Sequence, residues 1–290
     1  MNNKIGPYQV VELPPARRDV LSFIDLSSWE RHMFGLLEVD VTVARQWIAA
    51  YKARTGERMS FTGYLAFCLA QAVDEDKAVQ AYPKGRKQLV MFDDVDVGLM
   101  IERQMGETRA PVGYVVRRAN HKTFMEIHQE IRAVQTGGGL ANEGAPRWVG
   151  LLELMPGPVQ KLCSALFRMA IHRDPAGLWV PMVGTVGISS VGMFGQGGGW
   201  PLAAPAAHTL CLFVGGIARK PAVVGDRIEP RELLSLTVAF NHEAVDGAPA
   251  ARFVSRLVEL IETGYGLDVD GTTRAVGTEP EALQAAPAVA

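Results

Sequence analysis

The chain has 290 residues, and 48% of them are hydrophobic, which is enough apolar material for a large packed core. Its 29 basic and 31 acidic residues nearly cancel and are scattered, so the charge pattern predicts neither a nucleic-acid partner nor attachment to an anionic membrane surface. The first residues lack a basic segment followed by an apolar one, so we expect no secretory signal and a cytoplasmic location.

The first half of the chain alternates helical and strand patterns after a Pro-interrupted N-terminal arm, residues 1–19. Ser60 is a candidate N-cap for the second helix, and Gly56 closes the first. Apolar spacing predicts helices over residues 44–56, 60–76 and 121–135, and strands over residues 87–103 and 109–120.

The second half opens with an apolar insertion, residues 148–171, which Pro156-Gly157-Pro158 divides into two short helices. Charged residues inside this insertion argue against a membrane span. Further patterns predict a strand over residues 180–195, two long β-runs within 208–247 around a turn at Gly225-Asp226, and a helix over 248–264. Strands and helices interleave, which favours one α/β domain over residues 20–266, followed by a disordered tail, residues 267–290.

The three cysteines are isolated from one another. Cys68, Cys163 and Cys211 lie singly in apolar surroundings, without the close pairing of Cys or His residues that zinc sites require. We expect buried, reduced thiols, no disulfide framework and no metal.

The segment "FNHEAVDGAPAARF" (240–253) carries the first candidate for catalysis. His242 stands between a strand and a helix, a junction from which side chains commonly project into a cleft. Asp246 could orient the imidazole, and Gly247 would let the backbone turn tightly. If Asp246 is buried, it needs a cationic partner. The motif alone leaves both interpretations open, a general base or an ordinary structural histidine.

The segment "GISSVGMFG" (187–195) carries the second candidate. A serine hydroxyl on such a glycine-rich turn can donate a hydrogen bond where negative charge develops in a transition state. The alternative is a serine-rich turn that binds its own backbone. The sequence has no GxSxG motif, so a nucleophilic serine hydrolase is not predicted.

Seven segments of the chain carry a resemblance in the order in which they occur: "EVDVT" (38–42), "SFTGYLAFCLAQAV" (60–73), "DVDVGLMI" (94–101), "APVGYVVRRANHKTFMEIHQEI" (110–131), "TVGISSVGMFG" (185–195), "CLFVGGI" (211–217) and "LTVAFNHEAVDGAPAARFVSRLVELI" (236–261). Together they resemble the catalytic domain of the dihydrolipoamide acyltransferases of 2-oxoacid dehydrogenase complexes. The His-x-x-x-Asp-Gly element is shared with the related chloramphenicol acetyltransferases, and a further stretch, "DLSSWERHMF" (25–34), is similar to the Trp-x-Arg segment of those enzymes.

The resemblance implies a chloramphenicol acetyltransferase-like two-layer sandwich, in which helices pack on a mixed β-sheet and the chains assemble as a homotrimer. It implies a coenzyme A-dependent acyl transfer to a thiol or hydroxyl acceptor. His242 then matches the general base and Ser189 the oxyanion donor, with Ser190 as the fallback, and in this family these two groups come from different chains. Asp246 matches a structural carboxylate, and Arg31 matches the arginine that pairs with it.

The sequence also departs from that family. Asn241 and Glu243 flank His242 where the dehydrogenase-complex enzymes usually have Asp and Arg, and Gly187 stands where a threonine is common. We interpret Asn241 and Glu243 as determinants of acceptor specificity. No lipoyl domain is recognised, so we expect the acceptor to be the lipoyl group of another protein or a small molecule. The competing hypothesis is a non-catalytic core or accessory subunit that associates with dehydrogenase components.

Overall fold

A computed structural model describes residues 32–85, 87–105, 108–136, 157–192, 197–203 and 208–267. Arg31, the predicted N-terminal arm and all but the first residue of the predicted tail lie outside these ranges. The elements are β1 His32–Asp40, α1 Thr42–Thr55, α2 Phe61–Glu75, β2 Tyr82–Lys84, β3 Gln88–Val90, β4 Val97–Met105, β5 Thr108–Val116, α3 Phe124–Gln135, α4 Gly157–Arg173, α5 Pro175–Leu178, α6 Val180–Val183, β6 Val186–Ser190, β7 Leu210–Val224, β8 Arg227–Asn241 and α7 Gly247–Glu262.

Six of the described strands form one mixed sheet in the order β1-β8-β7-β6-β4-β5. The short strand β6 lies between β4 and β7 and is parallel to both, whereas the other neighbouring pairs are antiparallel. Strands β2 and β3 form a separate two-stranded sheet. The predicted α/β fold with a mixed sheet is therefore confirmed.

Helices cover one face of the large sheet and enclose the main core. Helix α2 is buried along most of its length, which explains why apolar and small residues occupy nearly all of its positions. Helix α7 instead buries a single stripe that includes Phe253, Leu257 and Leu260, as its periodicity predicts. These side chains pack against alternate residues of β8, among them Leu236 and Val238.

The local signals at the helix ends behave as predicted. The Ser60 hydroxyl accepts a hydrogen bond from the backbone N–H of Gly63 at 3.0 Å. Gly56 closes α1 in the left-handed conformation, with φ of 78°. Helix α3 starts later than its periodicity suggests, because Thr123 and Glu126 form a reciprocal capping box that fixes its first turn.

The prediction of a strand over residues 180–195 is wrong in its first part. Residues Val180–Val183 form the short helix α6, and only Val186–Ser190 pair as a strand. Pro181 lacks the N–H that a central strand would need, and Gly184 breaks the chain direction with φ of 91°. The apolar residues before the strand therefore form one turn of helix, which the sequence pattern alone did not distinguish from a strand.

The apolar insertion is described only from residue 157 onward. Helix α4 begins at the predicted break and extends beyond residue 171 to Arg173. None of the described helices combines the length and hydrophobicity that crossing a membrane would require. Cys68 and Cys211 are buried as predicted, but Cys163 on α4 is partly exposed, and all three thiols are free. The exposure of Cys163 follows from its place on a helix that lies outside the main core.

Candidate functional site

The segment that carries His242 is a tight turn between β8 and α7. The side-chain Oδ1 of Asn241 accepts a hydrogen bond from the backbone N–H of Glu243 at 2.8 Å, and its carbonyl accepts from the N–H groups of Ala244 and Val245, both at 3.0 Å. Asn241 itself is 0% exposed. The turn is therefore anchored from below by a buried amide, while His242 and Glu243 are exposed above it.

His242 and Asp246 lie together at the mouth of this turn. Their Nδ1 and Oδ1 atoms are 3.7 Å apart, longer than a hydrogen bond, and the side chains are 56% and 86% exposed. Asp246 is the N-cap residue of α7, yet its carboxylate makes no capping bond. The single chain thus leaves Asp246 exposed instead of burying it, and the predicted pairing with Arg31 lies outside the described residues.

Among the described residues, no contact requires glycine at position 247. Its φ lies outside the left-handed region, and a Cβ added there would meet no atom within 4 Å. The backbone of the single chain therefore does not depend on glycine at this position, and the role predicted for Gly247 stays a prediction. The hydrogen bonds of Asn241 shape the turn, since they close it before Asp246 is reached.

The two candidate serines lie at the end of β6 and point in opposite directions. Ser189 pairs with Phe213, which lies on the sheet face away from the helices, and Ser190 pairs with Val214, which belongs to the helix-covered core. Paired residues share a face, and successive residues alternate. Both serines are partly buried. Ser189 is therefore the serine that faces away from the helical layer.

One chain does not bring Ser189 and His242 together. Ser189 pairs through Phe213 with Thr237, and Asn241 lies four residues further along β8. Two strand spacings and four residues of strand place the Cα atoms of Ser189 and Asn241 roughly 16 Å apart. A hydroxyl and an imidazole that act on one reacting group must both lie within hydrogen-bond reach of it. These two groups cannot do so within one chain.

Beside the His242 turn lies a group of polar residues that no sequence motif marks as a set: His32, His208, Thr209 and Asn241. The ring Nε2 of His32 donates to the carbonyl of His208 at 3.1 Å, and the Asn241 N–H donates to the carbonyl of Thr209 at 2.7 Å. Among the described residues, the buried Thr209 Oγ1 and Asn241 Nδ2 have no hydrogen-bond partner. Buried polar atoms without partners are uncommon and costly. The signal in the sequence was a polar residue, Asn241, at the end of the apolar strand β8.

A second group that the sequence did not reveal is the imidazole of His208. Its Nε2 donates to the carbonyl of Val183 at 2.8 Å, and burial lowers its pKa to about 4. A neighbouring histidine, His32, adds to that lowering. At neutral pH His208 is therefore uncharged. Within the described residues, no group of three or more His, Cys, Asp or Glu side chains has the arrangement of a metal site.

A comparison with known protein families matches one segment in the second half of the chain. The sequence profile of the family "2-oxoacid dehydrogenases acyltransferase (catalytic domain)" matches residues 177–267, a segment that contains both β6 and the His242 turn. Dihydrolipoyllysine-residue succinyltransferase components of 2-oxoglutarate dehydrogenase are 25% identical over 211 residues in Schizosaccharomyces pombe and over 229 residues in Saccharomyces cerevisiae. These alignments cover 72% and 78% of this chain but only 38% and 41% of the relatives.

Solved structures support the same fold over more of the chain. The dihydrolipoamide acetyltransferase of Azotobacter vinelandii superposes with a TM-score of 0.63 at 18% identity, covering 91% of this chain and 98% of the other. A probable dihydrolipoamide acetyltransferase from Listeria monocytogenes gives 0.62 at 17% identity, covering 89% and 96%. The resemblance seen in the sequence is thus confirmed: residues 177–267 match the profile of the 2-oxoacid dehydrogenase acyltransferase catalytic domain, and the fold of the chain is similar to that of such catalytic domains.

Proposed function

We propose that this protein is a coenzyme A-dependent acyltransferase, which moves an acyl group between a coenzyme A thioester and a thiol or hydroxyl acceptor. The observation that carries the proposal is the presence, within the family segment, of an exposed histidine on a fixed turn and a serine on a fixed strand. In the Azotobacter enzyme a serine, a histidine and an asparagine four positions after the histidine were investigated for their role in catalysis. We propose Ser189, His242 and Asp246 as the counterparts in this chain, with Ser190 as the fallback for the serine.

In the proposed reaction His242 acts as the general base. Its imidazole takes the proton from the acceptor thiol or hydroxyl, whose sulfur or oxygen attacks the thioester carbonyl carbon. The Ser189 hydroxyl donates a hydrogen bond to the oxyanion of the tetrahedral intermediate. When the intermediate collapses, the carbon–sulfur bond to coenzyme A breaks and the imidazolium returns its proton to the leaving thiolate. The acyl group has then changed carriers, and His242 is neutral again.

The roughly 16 Å between Ser189 and the His242 turn supports a site completed by a second chain. We propose a homotrimer in which His242 of one protomer works with Ser189 of the next. The exposure of His242 and Asp246 in the single chain fits that arrangement, because a neighbouring chain would cover them. One matching solved structure is the cubic core of a pyruvate dehydrogenase complex, an assembly of many chains.

For the acceptor we propose a dihydrolipoyl group carried by a separate protein of a dehydrogenase complex, with a small-molecule thiol or alcohol as the alternative. The curated relatives are named for transfer to dihydrolipoyllysine residues. Glu243 is exposed beside His242 and can act on the acceptor directly, through its charge. Asn241 is buried, so it would act on specificity by holding the turn.

The test is release of the coenzyme A thiol from acetyl-CoA and from succinyl-CoA, with dihydrolipoamide or chloramphenicol as the acceptor. His242→Ala should lower kcat at least about 100-fold, because a general base contributes that much or more. His121→Ala is the matched control, since that histidine is 54% exposed and lies elsewhere. Full activity in His242→Ala contradicts the assigned base. A silent wild type that still binds dehydrogenase components favours the non-catalytic alternative.

The homotrimer has its own test. His242→Ala and Ser189→Ala chains are mixed in equal amounts, dissociated and reassembled. If each site takes its histidine and its serine from different chains, a quarter of the sites are intact, and activity returns to about a quarter of the wild-type value. Mixtures that stay as inactive as the separate variants contradict a site shared between chains.

A further inference from the structure

The imidazole of His208 lies on the same sheet face as Ser189. Its Nδ1 is 2.5 Å from the position that a Cβ on Gly187 would occupy, and its Nε2 is 3.1 Å from the corresponding position on Gly98. Gly187 precedes Ser189 by two residues on β6, so both positions face the same side. The ring therefore rests on the backbone of the strand that presents the oxyanion donor.

Gly187 and Gly98 are glycines for a reason visible in these contacts. A methyl group on Gly187 would overlap Nδ1, Cε1 and Cγ of His208, and one on Gly98 would overlap the carbonyl oxygen of Val183. That same carbonyl accepts the hydrogen bond from His208 Nε2. The ring thus joins three pieces of backbone, the start of β7, the turn before β6, and β6 itself.

We propose that His208 is a positioning residue for Ser189, holding β6 at a fixed height through its packing on Gly187 and its hydrogen bond to Val183. This inference rests on the proposed function, because it takes Ser189 to be the oxyanion donor. An oxyanion donor must be held to within a fraction of an ångström of its productive position, and supporting residues usually provide that precision. His208 does not touch the reacting atoms in this account.

The uncharged state of His208 supports the inference. The Nε2–H bond to Val183 leaves Nδ1 as the unprotonated nitrogen, directed at Gly187. A proton on Nδ1 would press against the glycine backbone in a partly buried place. The uncharged ring therefore positions β6 in two ways, by packing on Gly187 and by donating one hydrogen bond to Val183.

The packing part of the inference is tested by thermal unfolding of Gly187→Ala, His208→Ala and the double variant. In the wild-type background Gly187→Ala should lower Tm by about 4 °C or more, because the methyl overlaps the ring. In the His208→Ala background the same methyl enters vacated space and should leave Tm unchanged or raise it. Gly113→Ala is the control: among the described residues its methyl would meet only Met100 Sδ, at 3.9 Å, so it should have the same effect in both backgrounds.

The positioning part is tested by kinetics on the same proteins. His208→Ala should lower kcat at least tenfold with the KM for acyl-CoA nearly unchanged, since an oxyanion donor acts in the transition state. His208→Gln, which keeps an N–H donor for Val183, should recover part of that loss. If His208 acts through Ser189, then His208→Ala should cost little once Ser189→Ala is present.

The outcomes separate this inference from the proposed function. A wild type without acyl transfer defeats the proposed function, whereas the Tm comparison still reports on the His208–Gly187 packing. An active wild type in which the His208→Ala and Ser189→Ala losses multiply overturns the positioning role. Equal Tm losses from Gly187→Ala in both backgrounds overturn the packing argument.

Discussion

The strand that carries Ser189 and the turn that carries His242 are built in opposite ways. Strand β6 is paired on both edges, and glycines at 187 and 192 allow neighbouring atoms to approach its backbone closely. The His242 turn is held by the buried residues Asn241 and Val245, whereas the side chains of His242 and Asp246 are exposed. The part of the candidate site around Ser189, here called the enclosed half, is therefore fixed by contacts within the chain. The part around His242, here called the open half, has the side chains of His242 and Asp246 exposed to solvent in the single chain.

This contrast gives the two halves different sensitivities. Substitutions near β6 should change both stability and activity, since the strand is held by packing. Substitutions on the exposed turn should change activity while leaving the stability of the single chain nearly intact, because exposed side chains contribute little to folding. The following experiments test that division, beginning with the largest expected effect.

Replacing each serine with alanine in turn tests which face of β6 carries the oxyanion donor. Ser189→Ala should lower kcat about 100-fold to 1000-fold, the usual cost of removing one oxyanion donor, whereas Ser190→Ala should lower it less than tenfold. The physical reason is that the two side chains project to opposite sides of the sheet. Steady-state kinetics with purified variants measures both values. A larger loss in Ser190→Ala would reverse the assignment.

The pH dependence of stability probes the enclosed half. The pKa of His208 falls from 6.5 to about 4 on folding, so below pH 6.5 the unfolded chain binds a proton that the native chain does not. The contribution of His208 to the free energy of unfolding is therefore fully present above pH 6.5, and it is lost as the pH falls towards 4. Between pH 7 and pH 5 the wild type should lose up to about 2 kcal/mol more than His208→Gln. Equal losses in urea unfolding would contradict the lowered pKa.

The smallest expected effect concerns the open half. Asp246→Asn should change the free energy of unfolding by less than about 0.5 kcal/mol, because the carboxylate is 86% exposed and 3.7 Å from His242. If the amide oxygen can take over the role of the carboxylate, kcat should stay within tenfold of the wild-type value. Urea unfolding and the thiol-release assay measure the two quantities. A large loss of stability in the isolated chain would mean that Asp246 is not as exposed as described.

Much of the fold could be predicted from local patterns, because those patterns act through local physics. Ser60 and Gly56 mark helix ends through their own hydrogen bonds and backbone angles, and the stripe on α7 follows from helical periodicity. The short helix at Val180–Val183 was missed because four apolar residues have no periodicity that distinguishes a helix from a strand.

The candidate site could be predicted only where a motif carried it. His242 and Ser189 stood out through resemblance to a family, but their separation depends on the pairing of β6, β7 and β8, which no local pattern specifies. The contact between His208 and Gly187 joins residues that are distant in sequence. The exposure of Asp246 depends on what surrounds the turn, which the motif does not encode.

Gly187 in β6 and Gly192 just beyond it also fix which serine reaches which side of the sheet. A slip of one residue in a strand exchanges its two faces, and here it would put Ser190 in the place of Ser189. That slip would also move Ile188 against the His208 ring, and the opposite slip would move Val186 there. Either slip would bring a side chain against the Gly215 carbonyl, which now lies beside Gly192. These steric clashes disfavour a shifted register of β6. The contacts at Gly187 and Gly192 therefore determine which of the two adjacent serines faces away from the helices.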